Sequence, residues 1–313
     1  MVYIHCMNND NSATTYLAST VFMVKPKLFG FNGQTADTNA FQKNQHSNSD
    51  VHQTAMQEFS DSVNQLKSHG IDVMVFESND VEAPDAIFPN NWFSTHQNGS
   101  LVLYPMYAPN RRRERNQNAV DLIQSHCNSK QVIDYSAMEN QGVFLEGTGS
   151  IIFDHATRNA YASLSQRTNK SLFETVCREL NYTPICFTCS DPQGLPFYHT
   201  NVMLHIGNNY AVIYDEGISN TSERKYVMDC LRESKKDIIH LSFNQVSSFA
   251  GNMLQLKNKQ GIPYTVCSST AYASLGAEQM AMLERHTSLL VFNIPIIEQI
   301  GGGSIRCMMA ELF

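Results

Sequence analysis

Apolar and polar positions along the chain repeat one grammar, in which an apolar strand runs into a polar turn and a second apolar strand returns. Four stretches follow it, "NWFSTHQNGSLVLYPM", "SIIFDHATRNAYASLS", "VMLHIGNNYAVIYDE" and "MLQLKNKQGIPYTVCSS", and each reads as a β-hairpin. Their turns centre near Asn98, Thr157, Asn208 and Lys259, a period of about 50–60 residues. After each hairpin comes a helical stretch, over roughly 111–127, 169–181, 220–235 and 272–286. One short strand then closes the unit, "QVIDYS", "YTPICFT", "DIIHLS" and "SLLVFN" in turn. A fifth unit is split between the chain ends. Its hairpin would pair the C-terminal "SIRCMMAEL" with the N-terminal "TVFMVK", and its helix and strand would be 52–69 and "IDVMVFES". The pattern predicts an α/β fold of five ββαβ units, a five-bladed propeller with pseudo-fivefold symmetry closed by pairing the last strand with an early one. It also predicts a single domain over residues 1–313.

Composition narrows the function. A hydrophobic fraction of 42% with 16% charged residues is that of a globular protein. The formal charge of −7 argues against a nucleic-acid or anionic-membrane partner, since either needs a basic surface. A small-molecule partner fits, and a homo-oligomer stays open. The N-terminal "MVYIHCMNNDNSATTYLAST" shows no secretory pattern, and no apolar run reaches the roughly 20 residues of a membrane span. A cytoplasmic location is therefore expected, with the eight cysteines, Cys6, Cys127, Cys177, Cys186, Cys189, Cys230, Cys267 and Cys307, reduced. The C-x-x-C spacing of Cys186 and Cys189 lacks a second pair to complete a zinc site, and the stretch reads as a strand.

The repeat also places the chemistry. At or just before the first hairpin strand of each unit stands a polar group: Asp85 to Asn91 in "DAIFPNNW", Glu146 in "LEGTGS", His199 in "YHTNVM", Asn252 in "AGNMLQ" and Cys307 in "GGGSIRC". Equivalent positions in a rotationally symmetric ring converge on its axis, so a Cys, a His and a Glu far apart in sequence would meet there. Taken singly, each has a plain structural explanation: Cys307 as a small buried hydrophobe, His199 as a satisfied core residue, Glu146 as a turn cap. Together they form a nucleophile, a base and an orienting acid. His199 could supply the charge that lowers the thiol pKa or act as a proton shuttle, and Glu146 could orient it or bind a cationic substrate. Gly301, Gly302 and Gly303 would let the chain enter the axis and leave Cys307 uncrowded.

The terminal "GGGSIRC", the His of "YHTN" and the Glu-Gly of "LEGTGS", on five ββαβ units, resemble the pentein or guanidino-group-modifying superfamily. That superfamily includes arginine deiminases, dimethylarginine dimethylaminohydrolases, amidinotransferases and arginine dihydrolases. The resemblance implies that Cys307 is the nucleophile, His199 the general acid/base and Glu146 the acid contacting His or substrate. "SLSQRTN" is similar to a dimethylarginine-hydrolase segment, which makes Arg167 the clamp for a substrate α-carboxylate. By the same comparison Asp85 binds the substrate α-amino group and Phe88 lines the channel. Cofactors and metals are not implied.

Departures sharpen the substrate. Deiminases and dimethylarginine hydrolases carry an Asp at the position of Asn91, whereas Asn there is similar to the arginine dihydrolases and citrulline-utilisation hydrolases. An amide both donates and accepts, so it suits a neutral ureido group. The "EGGD" of many members is "EGTG" here, and the deiminase His-x-Asp becomes His199-Thr200-Asn201, so an acid expected near the guanidinium is missing twice and Asn201 stands as a substrate contact in its place. These point to a hydrolase releasing ornithine, ammonia and carbon dioxide from arginine or citrulline. Rival readings are a deiminase or dimethylarginine hydrolase giving citrulline, an amidinotransferase, and a catalytically silent binding platform. The polar stretch 30–50 reads as a flexible surface loop, while its resemblance is to a mobile lid with Asn32 as a substrate contact. The basic run Arg111 to Arg115 reads as a solvated face.

Overall fold

A computed structural model describes residues 16–43 and 48–313 and arranges them as five three-stranded sheets in a mixed α/β fold. In chain order, β1 (Thr20–Lys25) pairs in parallel with β2 (Asp72–Glu77). The next sheet is β3 (Phe93–Thr95), β4 (Ser100–Leu103) and β5 (Gln131–Asp134), followed by β6 (Ile152–Asp154), β7 (Asn159–Ser163) and β8 (Thr183–Phe187). Then come β9 (Leu204–Ile206), β10 (Tyr210–Ile213) and β11 (Asp237–His240), and β12 (Leu254–Lys257), β13 (Pro263–Ser268) and β14 (Ser288–Phe292). The last strand, β15 (Ala310–Leu312), returns to β1, with Thr20 opposite Leu312 and Phe22 opposite Ala310. In every sheet the middle strand is antiparallel to one neighbour and parallel to the other.

The middle strands are continuous apolar runs because both of their faces are buried. Successive side chains of a strand point to opposite faces. In β1, Val21 and Met23 enter one buried cluster while Phe22 and Val24 enter another. In β4, Leu101 and Leu103 join the cluster of Phe22, and Val102 joins that of Ala160 and Ala162 from β7. Tyr161 of β7 turns the other way, towards Val212 and Ile213 of β10. Each cluster therefore joins neighbouring units.

Local chemistry sets the connections. The helices Gln117–Cys127, Lys170–Glu179 and Thr221–Glu233 are each opened by an Asn (Asn116, Asn169, Asn220) whose side chain accepts from a first-turn N–H. After them Asn128, Asn181 and Lys235 take positive φ and turn the chain into the parallel strand. Two predicted helices prove to be broken. Residues 111–127 divide into Pro109–Arg112 and Gln117–Cys127, because Asn116 starts a new helix, and 272–286 divides into Ser269–Ser274 and Ala277–Glu284, because Leu275 is extended. The C-terminal hairpin strand is shorter than "SIRCMMAEL": residues 304–309 fold as turns, closed by the Cys307 N–H donating to Ser304 O at 2.9 Å, and Cys307 lies in a turn instead of a strand. Among the described residues no helix is long and apolar enough to cross a membrane. Cys6 lies outside the described residues.

Candidate active site

The polar positions singled out in the repeat all stand in short turns that precede a first hairpin strand. Asn91 ends the 3-10 turn Pro89–Asn91, Glu146 precedes the turn Gly147–Ser150, and His199 precedes the turn Thr200–Val202. These turns touch one another, and one small cavity is lined by Asp85, Phe88, Asn91, Arg111, Arg167, His199 and Cys307. The glycine run makes room for it. Gly302 caps the helix Pro295–Gly301 with a φ of +65°, and a Cβ on Gly303 would stand 3.0 Å from the Phe88 ring and 3.3 Å from Cys307 Cβ.

His199 Nε2 lies 2.7 Å from Glu146 Oε2, and the other carboxylate oxygen accepts from the Tyr107 N–H at 2.9 Å. A carboxylate can only accept, so Nε2 carries the proton and Nδ1 is left for chemistry. Burial works against the Glu146 carboxylate, but Arg167, His199 and Arg111 together outweigh it and hold the group well below the usual range. Burial drives His199 the other way, down to about 4 despite Glu146, so the ring is neutral at neutral pH. Cys307 Sγ is approached by Asn252 Nδ2 at 3.3 Å and by Asn201 Nδ2 at 3.5 Å. Asn201 thus faces the sulfur. Asn252, marked by the repeat but given no role from sequence, faces it too.

Arg111 corrects the reading of the basic run. It is buried, donates from Nη1 to Asn91 Oδ1 at 2.9 Å and from Nη2 to Phe88 O at 3.0 Å, and is gripped by both Glu114 oxygens at 2.8 and 2.9 Å. Arg115 is also committed, to Tyr104 O and Glu139, and only Arg113 fits the solvated face expected of the run. Pro109 starts the one-turn helix Pro109–Arg112 that carries Arg111, and the contacts with Asn91 and Glu114 turn its side chain inward. Arg167 lies over the rings of Tyr107 and Tyr198, pairs with Glu146 at 3.4 Å and donates to Thr35 O and Thr38 Oγ1. Burial pushes Asp85 up, against the opposing pull of Arg111, Asn32, Thr35 and Arg167. Its Oδ2 accepts from Asn32 Nδ2 at 2.7 Å and Thr35 Oγ1 at 3.2 Å.

Those contacts overturn the surface-loop reading of the 30–50 stretch for its first part. Asn32 caps the short helix Gly33–Ala36, and Asn32, Thr35 and Asn39 are buried over the cavity. Gln42 Nε2 donates to Gly301 O at 3.1 Å, and Asn39 Nδ2 reaches Gly302 O at 3.4 Å. Residues 44–47 lie outside the described ones. Beneath these residues the cavity measures about 20 Å³, space for little more than a water. A cleft of about 870 Å³ lies on the outer side of the cover and shares Arg167 and Tyr198 with the cavity, but neither Cys307 nor His199 lines it. Among the described residues no group of His, Cys, Asp or Glu is placed to hold a metal ion.

Three comparisons bear on this geometry. Residues 25–313 match the family described as eukaryotic N,N-dimethylarginine dimethylhydrolase. Among solved structures, the apo form of ArgZ, an arginine dihydrolase from the ornithine–ammonia cycle in cyanobacteria, aligns with a TM-score of 0.73 at 16% identity, covering 94% of this chain and 40% of that one. The chain thus spans less than half the length of whole ArgZ, but it matches 97% of an ArgZ N-terminal domain covalently bound to a reaction intermediate, again at 0.73 and 16%. DDAH from Pseudomonas aeruginosa in complex with citrulline gives 0.66 at 12% identity, covering 95% of this chain and all of that one. No curated protein sequence matches.

Proposed function

The chain belongs to the eukaryotic N,N-dimethylarginine dimethylhydrolase family, and from that premise we propose that it is a cysteine-dependent hydrolase that removes the terminal carbon unit of arginine or citrulline, releasing ornithine. Hydrolysis of carbon–nitrogen bonds is the chemistry of the family. One observation carries the choice of substrate. Arg111 has only donors, so the carbonyl oxygen of Asn91 must face it, and the Asn91 Nδ2 group is thereby turned away, buried and without a hydrogen-bond partner. A buried donor of this kind is satisfied by a carbonyl oxygen, which a ureido group has and a guanidinium lacks.

The other unpaired atoms suit the rest of such a molecule. Asp85 Oδ1 is a buried acceptor without a partner, matched to an α-ammonium, and Arg167 Nε is a buried donor without one, matched to an α-carboxylate together with Arg111. On this reading Cys307 Sγ attacks the guanidino or ureido carbon and forms an S-linked intermediate. His199 passes a proton through Nδ1 to the departing nitrogen, then takes one from the water that cleaves the intermediate, and Glu146 supports the imidazolium while it lasts. One round on arginine yields citrulline and ammonia; the next, or direct use of citrulline, yields ornithine, ammonia and carbon dioxide. We read the five sheets as blades of a single-domain pentein propeller whose axis holds this site.

A second reading, hydrolysis of dimethylarginine to citrulline, is favoured by the family match itself. Mass spectrometry of the products from L-arginine, L-citrulline and dimethylarginine, with Cys307→Ser as the blank, separates the two. Ornithine from arginine or citrulline supports the proposal. Citrulline as the only end product overturns it, in favour of the second reading if it comes from dimethylarginine and of a deiminase if it comes from arginine.

A further inference from the structure

Arg167 Nη1 and Glu146 Oε2 stand 3.4 Å apart, and the same carboxylate oxygen meets His199 Nε2 at 2.7 Å. Arg167 and Glu146 are 21 residues apart in the chain, and their backbones are fastened through one buried hydroxyl. Ser150, the last residue of the turn Gly147–Ser150, donates from Oγ to Arg167 O at 2.9 Å and accepts from the Glu146 N–H at 3.1 Å and from Thr168 Oγ1 at 2.9 Å. A backbone carbonyl only accepts and a backbone N–H only donates, so the single Ser150 proton goes to Arg167 and the Thr168 proton comes to Ser150. The hydroxyl is thereby saturated. Ser150 also reaches the third member of the site, because its carbonyl oxygen accepts from Thr200 Oγ1 at 2.6 Å. Thr200 directly follows His199 and takes the Ser163 N–H at 2.8 Å.

We propose that Ser150 is a positioning residue that sets the Arg167 guanidinium and the Glu146–His199 pair relative to one another. Its hydroxyl has no capacity left for a ligand, so it acts only through those side chains. Without it, Arg167 O and the Glu146 N–H keep their mutual contact at 3.2 Å, and the Thr168 hydroxyl loses its acceptor. Arg167 is then free to shift against the carboxylate that faces it. The clamp for the substrate α-carboxylate and the support for the imidazolium hang on one atom, so a change there reaches binding and proton transfer together.

These roles of Arg167 and Glu146 rest on the proposed hydrolase, so KM and kcat are measured on whichever of L-arginine, L-citrulline and dimethylarginine the parent turns over, beside urea denaturation of each protein. Ser150→Ala deletes the hydroxyl and orphans that of Thr168. Ser150→Ala combined with Thr168→Val removes both partners of that bond, so neither is left buried and unsatisfied. A loss of folded protein lowers the apparent kcat but not KM, which is why both are read. The expected result for both variants is a KM raised about fivefold and a kcat lowered about tenfold, with the urea midpoint lowered in the single variant and largely restored in the double one. Kinetics that recover with the midpoint in the double variant would overturn the role, since stability alone would then account for the loss. A KM within about twofold of the parent in either folded variant would overturn it as well, with the hydrolase reading left standing. Failure of both variants to fold would assign Ser150 to the fold as a whole and equally refute a positioning role. A parent that turns over none of the three amino acids refutes the proposed hydrolase and this role with it.

Discussion

Gly149→Ala tests the geometry of the site with one methyl group. A Cβ at this position would stand 2.2 Å from Asn91 Nδ2 and 2.8 Å from both Nδ1 and Cε1 of His199. Ordinary contact begins near about 3.5 Å, so the amide has to retreat by more than about 1 Å and the ring by about 0.7 Å. Neither group is a free side-chain end. Asn91 Oδ1 is held by Arg111 at 2.9 Å, and the imidazole by Glu146 at 2.7 Å. The backbone itself accepts alanine, because Gly149 is not among the positive-φ glycines. Overpacking of this kind costs about 1–3 kcal/mol of stability, which leaves a domain of this size folded. A displacement of about 1 Å in reacting groups costs on the order of 100-fold in rate. The expected outcome is a roughly 100-fold fall in kcat/KM for the best substrate and a melting temperature lower by several degrees. Alkylation of Cys307 should be unaffected, since Cys307 is not among the groups nearest to the added Cβ. Activity within about threefold of the parent, in a folded variant, would refute the placement of Asn91 and His199 at the reacting centre.

Other substitutions probe single terms. Glu146→Gln can still accept from His199 Nε2 but removes the charge that supports imidazolium, so turnover should fall about 100-fold or more while Cys307 stays alkylatable; unchanged turnover would remove Glu146 from the mechanism. Asn91→Asp puts a carboxylate where the unpaired amide donor lies and should shift the kcat/KM ratio of arginine over citrulline upwards by about 10-fold or more; a ratio that stays put would undo the substrate argument. His205 is buried beside Tyr210, and burial, with Arg306 and Lys236, lowers it to about 3, so between that value and its ordinary 6.5 the unfolded chain binds a proton that the folded one does not. Stability from this group is complete above the upper value and is lost as pH falls towards the lower one. Going from about pH 7.5 to about pH 5.5 it should cost about 1.4 kcal/mol, a loss that His205→Gln abolishes in urea denaturation; equal losses in both proteins would show that His205 is not held neutral.

Several of these features were legible before any coordinates, and others were not. The hairpins, the split unit and the position of each polar group followed from alternation and period, because those are local signals. The helix breaks at Asn116 and Leu275 were missed, since one capping residue interrupts a helical pattern without changing its average. Arg111 was misread for a related reason: charge runs are usually solvated, and only the depth of Asn91 and Glu114 shows that this one points inward. The polar stretch from Asn32 to Gln42 has a surface composition, yet its polar side chains are satisfied by Asp85 and the carbonyls of Gly301 and Gly302.

By itself, then, the sequence determined the repeat of hairpin, helix and strand and the polar positions that precede each first hairpin strand. Both strand alternation and unit spacing are properties of neighbouring residues. Tertiary structure alone decided which way the Asn91 amide turns, that burial pulls His199 down against Glu146, and that the sulfur of Cys307 meets the amides of Asn201 and Asn252. Orientation and charge state depend on partners supplied by other units and on the water they exclude, and neither is encoded at any one position of the chain.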